Sequence, residues 1–337
     1  MRCASLLLSL TLTTASAAAF QDITLLKTHT LNAYDTLWSA AVSPDGHTLA
    51  LGSSDLLQTR DLITGNLKWK STVIHDHADW AGSLKYSRDG STLFALASTV
   101  TIDGTNTSVH VFLADTGRLI SMSGDFPDLT AYAPNKNGQN ALFGDPQGHV
   151  ALIDTVSWKG VSLMPSMTRA RIREIRYRPN TYQAGFTDDA EQLTLWTVDE
   201  ESRRVNLPYK LGDLQFHPSR PWLAVGTAAG TVELVDVDTT QVVRQFKTGT
   251  SLVNTVAFNK NGTLLAAGDA RGQVNVFASA TGRKVWSLSV PNVSIEGVWF
   301  GGDNKTLVVR TQGRGMSLAQ AVRVYGSKRG AAVFTGP

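Results

Sequence analysis

The chain has 337 residues, with 31 lysines and arginines against 28 aspartates and glutamates, and 42% apolar residues. Those proportions suit a globular chain with a sizeable core and argue against a disordered or collagen-like one. A formal charge of +3 over this length gives no reason to expect a nucleic-acid ligand.

Arg2 precedes the apolar run Leu6–Leu12, and the small residues Ala15–Ala19 follow it. This layout predicts a cleaved secretory signal peptide over residues 1–19, cut after Ala19 or, as second choice, after Ala17. The apolar run is too short for a membrane-spanning helix, which needs about 20 apolar residues, and no later segment is a transmembrane candidate. Cys3 is the only cysteine and precedes the cleavage site, so the mature chain is expected to carry no disulfide and no thiolate ligand. The expected product is exported, periplasmic or secreted, and therefore separated from nucleic acid.

From residue 20 to 337 the chain reads as a single domain of repeats. A run of alternating apolar residues, a turn rich in Pro, Asp, Asn and Gly, and a second apolar run recur at WSAAVSPDGHTLALG from Trp38, GSLKYSRDGSTLFAL from Gly82 and LTAYAPNKNGQNALFG from Leu129. They recur again at IREIRYRPNTYQAGF from Ile172, DLQFHPSRPWLAVG from Asp213, NTVAFNKNGTLLAAG from Asn254 and EGVWFGGDNKTLVV from Glu296. With Val42, Tyr86, Tyr132, Tyr177, Phe216, Phe258 and Phe300 as anchors, the intervals are 44, 46, 45, 39, 42 and 42 residues. That period fits a four-stranded propeller blade or a HEAT or armadillo repeat, and the alternating, β-branched and aromatic composition selects strands. Further strands follow each anchor pair, as in Val232–Val237 and Gln241–Phe246, with Thr-Gly turns at 64–65, 116–117 and 281–282. The fold class expected is all-β: a seven-bladed propeller of four-stranded antiparallel blades. Residues 23–31 are favoured as the strand completing the last blade beside Val322–Tyr325, with Ala331–Phe334 as the competitor.

The signature S-P-D-G-x-T-L-A at 43–50, with shorter copies at 88–93 and 261–266, resembles the WD-repeat family and the wider quinoprotein-like propellers. The Trp-Asp that closes the third strand in that family appears here as Arg60-Asp61, Ile153-Asp154 and Val235-Asp236, so the repeats are WD-like. The resemblance implies a rigid ring whose loops bind a partner. The Thr-Gly-x-x-x-Trp stretches ending at Trp69 and Trp286 resemble quinoprotein blade motifs, in which the tryptophan docks on the next blade.

Motifs for catalysis are mostly missing: the chain has no H-E-x-x-H, G-x-S-x-G, P-loop or dinucleotide fingerprint. His75-Asp76-His77 has metal-like composition, but the resemblance implies a structural role for His77, and no metal or other cofactor is expected. The acidic pairs Asp188-Asp189 and Glu200-Glu201 read as solvated turn residues. Between Thr168 and Arg178 the chain places five arginines against one glutamate. They can bind phosphate or carboxylate through bidentate hydrogen bonds, or pair internally with Asp188, Asp189 and Glu191. In WD-like blades, the loop entering each inner strand and the turn between the second and third strands share one face. That implies a candidate partner face of His75, His77, Asp79, Trp80, Arg169, Arg171, Arg173, Arg310 and Arg314, with Arg310 expected in a long turn. The function expected is a monomeric, noncatalytic scaffold for a protein or an anionic envelope component. The alternative is an enzyme at the channel mouth, either quinone-dependent or a lactone or glycan hydrolase.

Overall fold

The computed structural model describes residues 23–29, 36–53, 56–72, 80–101, 104–124, 126–127, 129–164, 169–208, 210–302, 304, 306–313 and 320–327. The expected signal segment 1–19 and the closing candidate Ala331–Phe334 lie outside the described residues, as do His75, His77, Asp79 and Arg314.

Seven antiparallel sheets form, each with four strands in sequence order except at two places. Their inner strands are Ser39–Val42, Trp80–Tyr86, Ala131–Pro134, Ile172–Tyr177, Leu211–Phe216, Val253–Phe258 and Val293–Phe300, and we number the blades 1 to 7 in that order. In blade 7 the outermost strand comes from the opposite end of the chain: Ile23–His29 pairs antiparallel with Gln320–Ser327, from Ile23 opposite Ser327 to His29 opposite Val322. The ring therefore closes by hydrogen bonding between strands distant in sequence, covering an edge that would otherwise template aggregation. Blade 2 departs differently. Its second and third strands, Thr92–Thr101 and Gly104–Leu113, are ten residues each, and Phe126–Pro127 adds a fifth strand beside Asn106 and Thr107.

Burial is greatest in the middle strands of a blade and falls toward its outer edge. The second strands Thr48–Gly52, Gln183–Asp188 and Leu264–Asp269 are buried at every position, because both of their faces meet a neighbouring blade. The fourth strand of blade 5, Gln241–Lys247, is mostly exposed. The core consequently lies between blades. Ala50, Leu57 and Trp69 of blade 1 pack with Leu84, Leu93 and Phe112 of blade 2, each large side chain contributing about 1.5–3 kcal/mol on burial. Trp69 also donates from Nε1 to the carbonyl of Ala114, 2.9 Å away on blade 2, so this tryptophan docks across the junction. The backbone below it must be glycine: Gly117 has φ of +70°, and a Cβ there would sit 2.5 Å from the Trp69 ring.

Backbone hydrogen bonds define two faces. On one, which we call upper, the segment entering an inner strand bonds to the turn after the second strand: Asp189 N–H to Arg171 O, Ala228 N–H to Lys210 O, Ala270 N–H to Leu252 O. On the lower face, the turn after the third strand bonds to the turn after the inner strand: Leu62 to His47, Ala114 to Ser91, Thr155 to Gln139, Val237 to Pro221, Ser279 to Thr263.

The structure moves one anchor. The turn after an inner strand opens at Ser43 and Ser87 with an N–H bonded to the residue five further on, and in blade 3 that position is Asn135. The blade 3 anchor is thus Pro134 rather than Tyr132, which makes the interval from Tyr86 to Pro134 the longest, as the elongated hairpin of blade 2 requires.

Candidate functional site: channel and upper rim

Strands alternate their side chains, and the residue before each anchor borders the open centre of the ring. These residues are Ala41, Lys85, Ala133, Arg176, Gln215, Ala257 and Trp299, and every one lines the central channel. The channel divides into two connected volumes of about 1230 Å³ and about 550 Å³, which share Glu174, Arg176, Glu296 and Trp299.

Charges strap neighbouring blades together across this channel. Lys85 of blade 2 donates to the Tyr132 carbonyl of blade 3 at 2.7 Å and to Glu174 Oε1 of blade 4 at 2.5 Å. Arg176 bonds the same carboxylate and reaches Asp213 Oδ1 of blade 5 at 2.9 Å. Asp213 Oδ2 accepts from the Val256 N–H of blade 6 at 3.1 Å. Asn254 then donates to Ser294 Oγ and the Ile295 carbonyl of blade 7. Arg310 of blade 7 donates to the carbonyl of Trp38, entering blade 1, at 2.7 Å. Two cations, Lys85 and Arg176, thus meet two anions, Glu174 and Asp213, in one neutral chain. Burial first, and then Arg176, pull the Lys85 ammonium well below the ordinary lysine value, and Asp213 opposes them. Burial also lowers Arg310, with Glu296 acting against it.

The upper rim of blade 4 carries the arginine run. Arg173 pairs with Asp189, the internal partner weighed from the sequence. Arg171 is exposed, and its carbonyl accepts from the Asp189 N–H. Arg169 is exposed in the entering loop with φ of +53°, a backbone conformation uncommon outside glycine. Trp80 is the first residue of the blade 2 inner strand. Two expectations need correction. Arg310 lies in the strand Thr306–Gly313 rather than in a turn, because pairing with Gln320–Ser327 continues to Gln312 opposite Gln320. Its guanidinium donates to the Trp38 carbonyl at the entry to blade 1. Asp188 is likewise not a solvated turn residue: it ends a buried strand, and its Oδ1 accepts from the Gln192 N–H at 3.0 Å.

Sequence reasoning did not single out Lys85, Asp213, or Glu174 and Arg176 as a set. Their signal was the residue before each anchor, a column of alanine, glutamine and tryptophan interrupted by Lys85 and Arg176. Among the described residues no group of three or more His, Cys, Asp or Glu side chains is placed to hold a metal ion.

The comparison with known families adds one match. Residues 191–261 fit the model of the anaphase-promoting complex subunit 4 WD40 domain. The protein is a WD-repeat-like β-propeller. The matched stretch runs from the second turn of blade 4 through all of blade 5 to the turn after the inner strand of blade 6. These blades include Asp213 and the His217 turn. A WD-like propeller suggests an interaction scaffold for proteins, and no described helix is long and apolar enough to cross a membrane.

Proposed function

We propose that this propeller is an exported, noncatalytic scaffold that binds a protein or an anionic envelope component at its upper rim. The observation that carries the reading is the interior of the channel: Lys85, Arg176, Arg310, Glu174 and Asp213 are bonded to one another or to backbone, and they serve to hold blades together. Groups held in that way make a rigid frame, and binding falls to the loops around it. On the rim, Arg171 offers an exposed planar donor beside the Arg173–Asp189 pair. Export rests on the N-terminal segment, and intact mass of the secreted chain should begin at Phe20 or Ala18.

The test is capture from an envelope fraction by immobilised protein, comparing the native chain with an Arg169→Ala, Arg171→Ala variant of unchanged circular dichroism. Capture and its salt sensitivity should fall together. Equal capture by the variant would remove the partner from this rim.

A further inference from the structure

The lower face presents a different arrangement. There the turn following each inner strand places its second residue at the channel mouth, and six of these residues line the two volumes: Pro44, Arg88, Lys136, Pro179, Lys260 and Gly302. Three blades thus put an exposed cation at the same structural position, namely Arg88, Lys136 and Lys260. None of the three makes an ion pair within the described residues. Burial alone shifts the Arg88 guanidinium, downward, with no carboxylate acting against it.

The acids of the same turns are occupied elsewhere. Asp89 Oδ1 accepts from Ser87 Oγ at 2.8 Å, Ser91 N–H at 2.9 Å and Ser91 Oγ at 2.7 Å. Asp45 Oδ1 is held in the same way by Ser43 Oγ and the His47 N–H. Neither carboxylate lines the channel. Farther out, the turns after the third strands carry Asp61, Asp154 and Asp236, each bound by backbone N–H groups and a Thr or Ser hydroxyl. The lower face therefore has a basic centre inside a periphery of mixed sign, since Arg118, Lys159 and Arg283 stand in the same outer turns. Arg178, beside the centre, is already paired with Asp238 at 3.0 Å. Tyr182, 74% exposed, stands at the edge of the larger volume.

We infer that the lower mouth binds an acidic peptide segment of a partner protein, inserted end-on into the channel. Charge sets the identity, and the channel sets the direction. Carboxylates are drawn to Arg88, Lys136 and Lys260 at the mouth, while the outer turns carry both signs and offer an acidic chain no comparable single-sign patch. Arg88 supplies bidentate hydrogen bonds, the lysines supply point charges, and Tyr182 supplies apolar contact with a polar tip. Size favours a peptide over a small anion, since about 1230 Å³ exceeds the usual small-molecule cleft of about 300–1,000 Å³. Insertion stops at the Lys85–Glu174–Arg176–Asp213 chain, whose two cations and two carboxylates balance and give a further carboxylate no gain. This site is independent of the upper rim, and either reading stands if the other fails.

Fluorescence anisotropy of labelled octaglutamate, titrated with the mature chain, tests it, with octaglutamine and inorganic phosphate as comparison ligands. Octaglutamate should bind, and binding should weaken as salt rises from about 50 to about 300 mM. An Arg88→Ala, Lys136→Ala variant should lose about tenfold in affinity, and Lys260→Ala less. Both sites are exposed turn positions, and circular dichroism checks that the fold is kept. The upper-rim Arg171→Ala variant should bind octaglutamate as the native chain does. No binding, equal binding of octaglutamine, or equal loss in Arg171→Ala would overturn the proposal. Phosphate displacing the peptide at matched charge concentration would reassign the mouth to small anions and overturn it too.

Discussion

The upper rim of blade 4 and the lower turn of blade 2 carry similar charged residues but use them in opposite ways. On the upper rim of blade 4 Asp189 bonds to Arg173, and in the channel Asp213 bonds to Arg176 of the neighbouring blade. On the lower side, Asp45 and Asp89 bond to serines and N–H groups of their own turn, and Arg88, one residue before Asp89, makes no ion pair among the described residues. The difference lies in the neighbours. A serine two residues before an aspartate gives it a local hydroxyl donor, so the carboxylate no longer needs an arginine. Whether a cation is available to a ligand is decided by what its nearest acid can reach.

This contrast can be broken most forcefully in the channel. Glu174→Ala leaves Lys85 and Arg176 facing one another without their common anion, and should cost about 2–4 kcal/mol in urea unfolding. Lys85→Met should cost less, because Glu174 then keeps Arg176. A loss no larger for Glu174→Ala than for Lys85→Met would mean that the strap is not what holds these blades.

On the lower side, loss of a local acceptor should be smaller. Asp89→Ala removes a turn cap and should lower stability by about 0.5–2 kcal/mol. Octaglutamate affinity should rise slightly, since one nearby negative charge is gone; a fall would show that Asp89 positions Arg88.

His217 gives the comparison a pH dependence. In the blade 5 turn its Nδ1 accepts from the Ser219 and Arg220 N–H groups, and its Nε2 donates to the Gly262 carbonyl, so the ring is held neutral. Burial, the largest cause, lowers its pKa below the ordinary histidine value of 6.5. The unfolded chain then binds more protons than the folded one, and stability present above about pH 6.5 is lost as pH falls through the folded pKa. Buried His29 and His110 shift in the same direction. Thermal midpoints should drop below about pH 6.5, and His217→Asn should flatten part of the slope, asparagine being the residue at the equivalent Asn135 and Asn259. An unchanged slope would assign the acid sensitivity to the other histidines.

The smallest effect belongs to the upper rim itself. Arg173 and Asp189 are both substantially exposed, so Arg173→Ala should change stability by no more than about 1 kcal/mol. A larger loss would place the rim pair with the channel network.

The architecture was legible because the repeat spacing and the alternation of apolar residues act locally, turn by turn. Even there Tyr132 was mistaken for the anchor, since it is buried and aromatic like the others but packs one alternation earlier, donating from its hydroxyl to the Ser83 carbonyl. The rim was legible only in part. Arg169, Arg171 and Arg173 adjoin one another in sequence and in space, but Arg310 was displaced by a strand that runs longer than its composition suggested. Channel partners were hidden because each comes from a different repeat: Lys85 meets Glu174 across 89 residues, and Arg176 meets Asp213 across 37. Local pattern says which way a side chain points and nothing about which charge will be waiting on the other side of a ring.

The strand that closes the ring also sets an order of events. Ile23 is among the first described residues to be made, and its partner Ser327 among the last. Closing so long a loop costs little extra at equilibrium, about 0.6 kcal/mol for each doubling of length, but it places the most sequence-distant pairing at the end of the folding reaction. Until then the strand Gln320–Ser327 keeps one bare edge, and Ile23–His29 is an unpaired strand able to reach the same edge on another copy. Dilute refolding should favour closed rings, and concentrated refolding should favour chains that exchange their first strands.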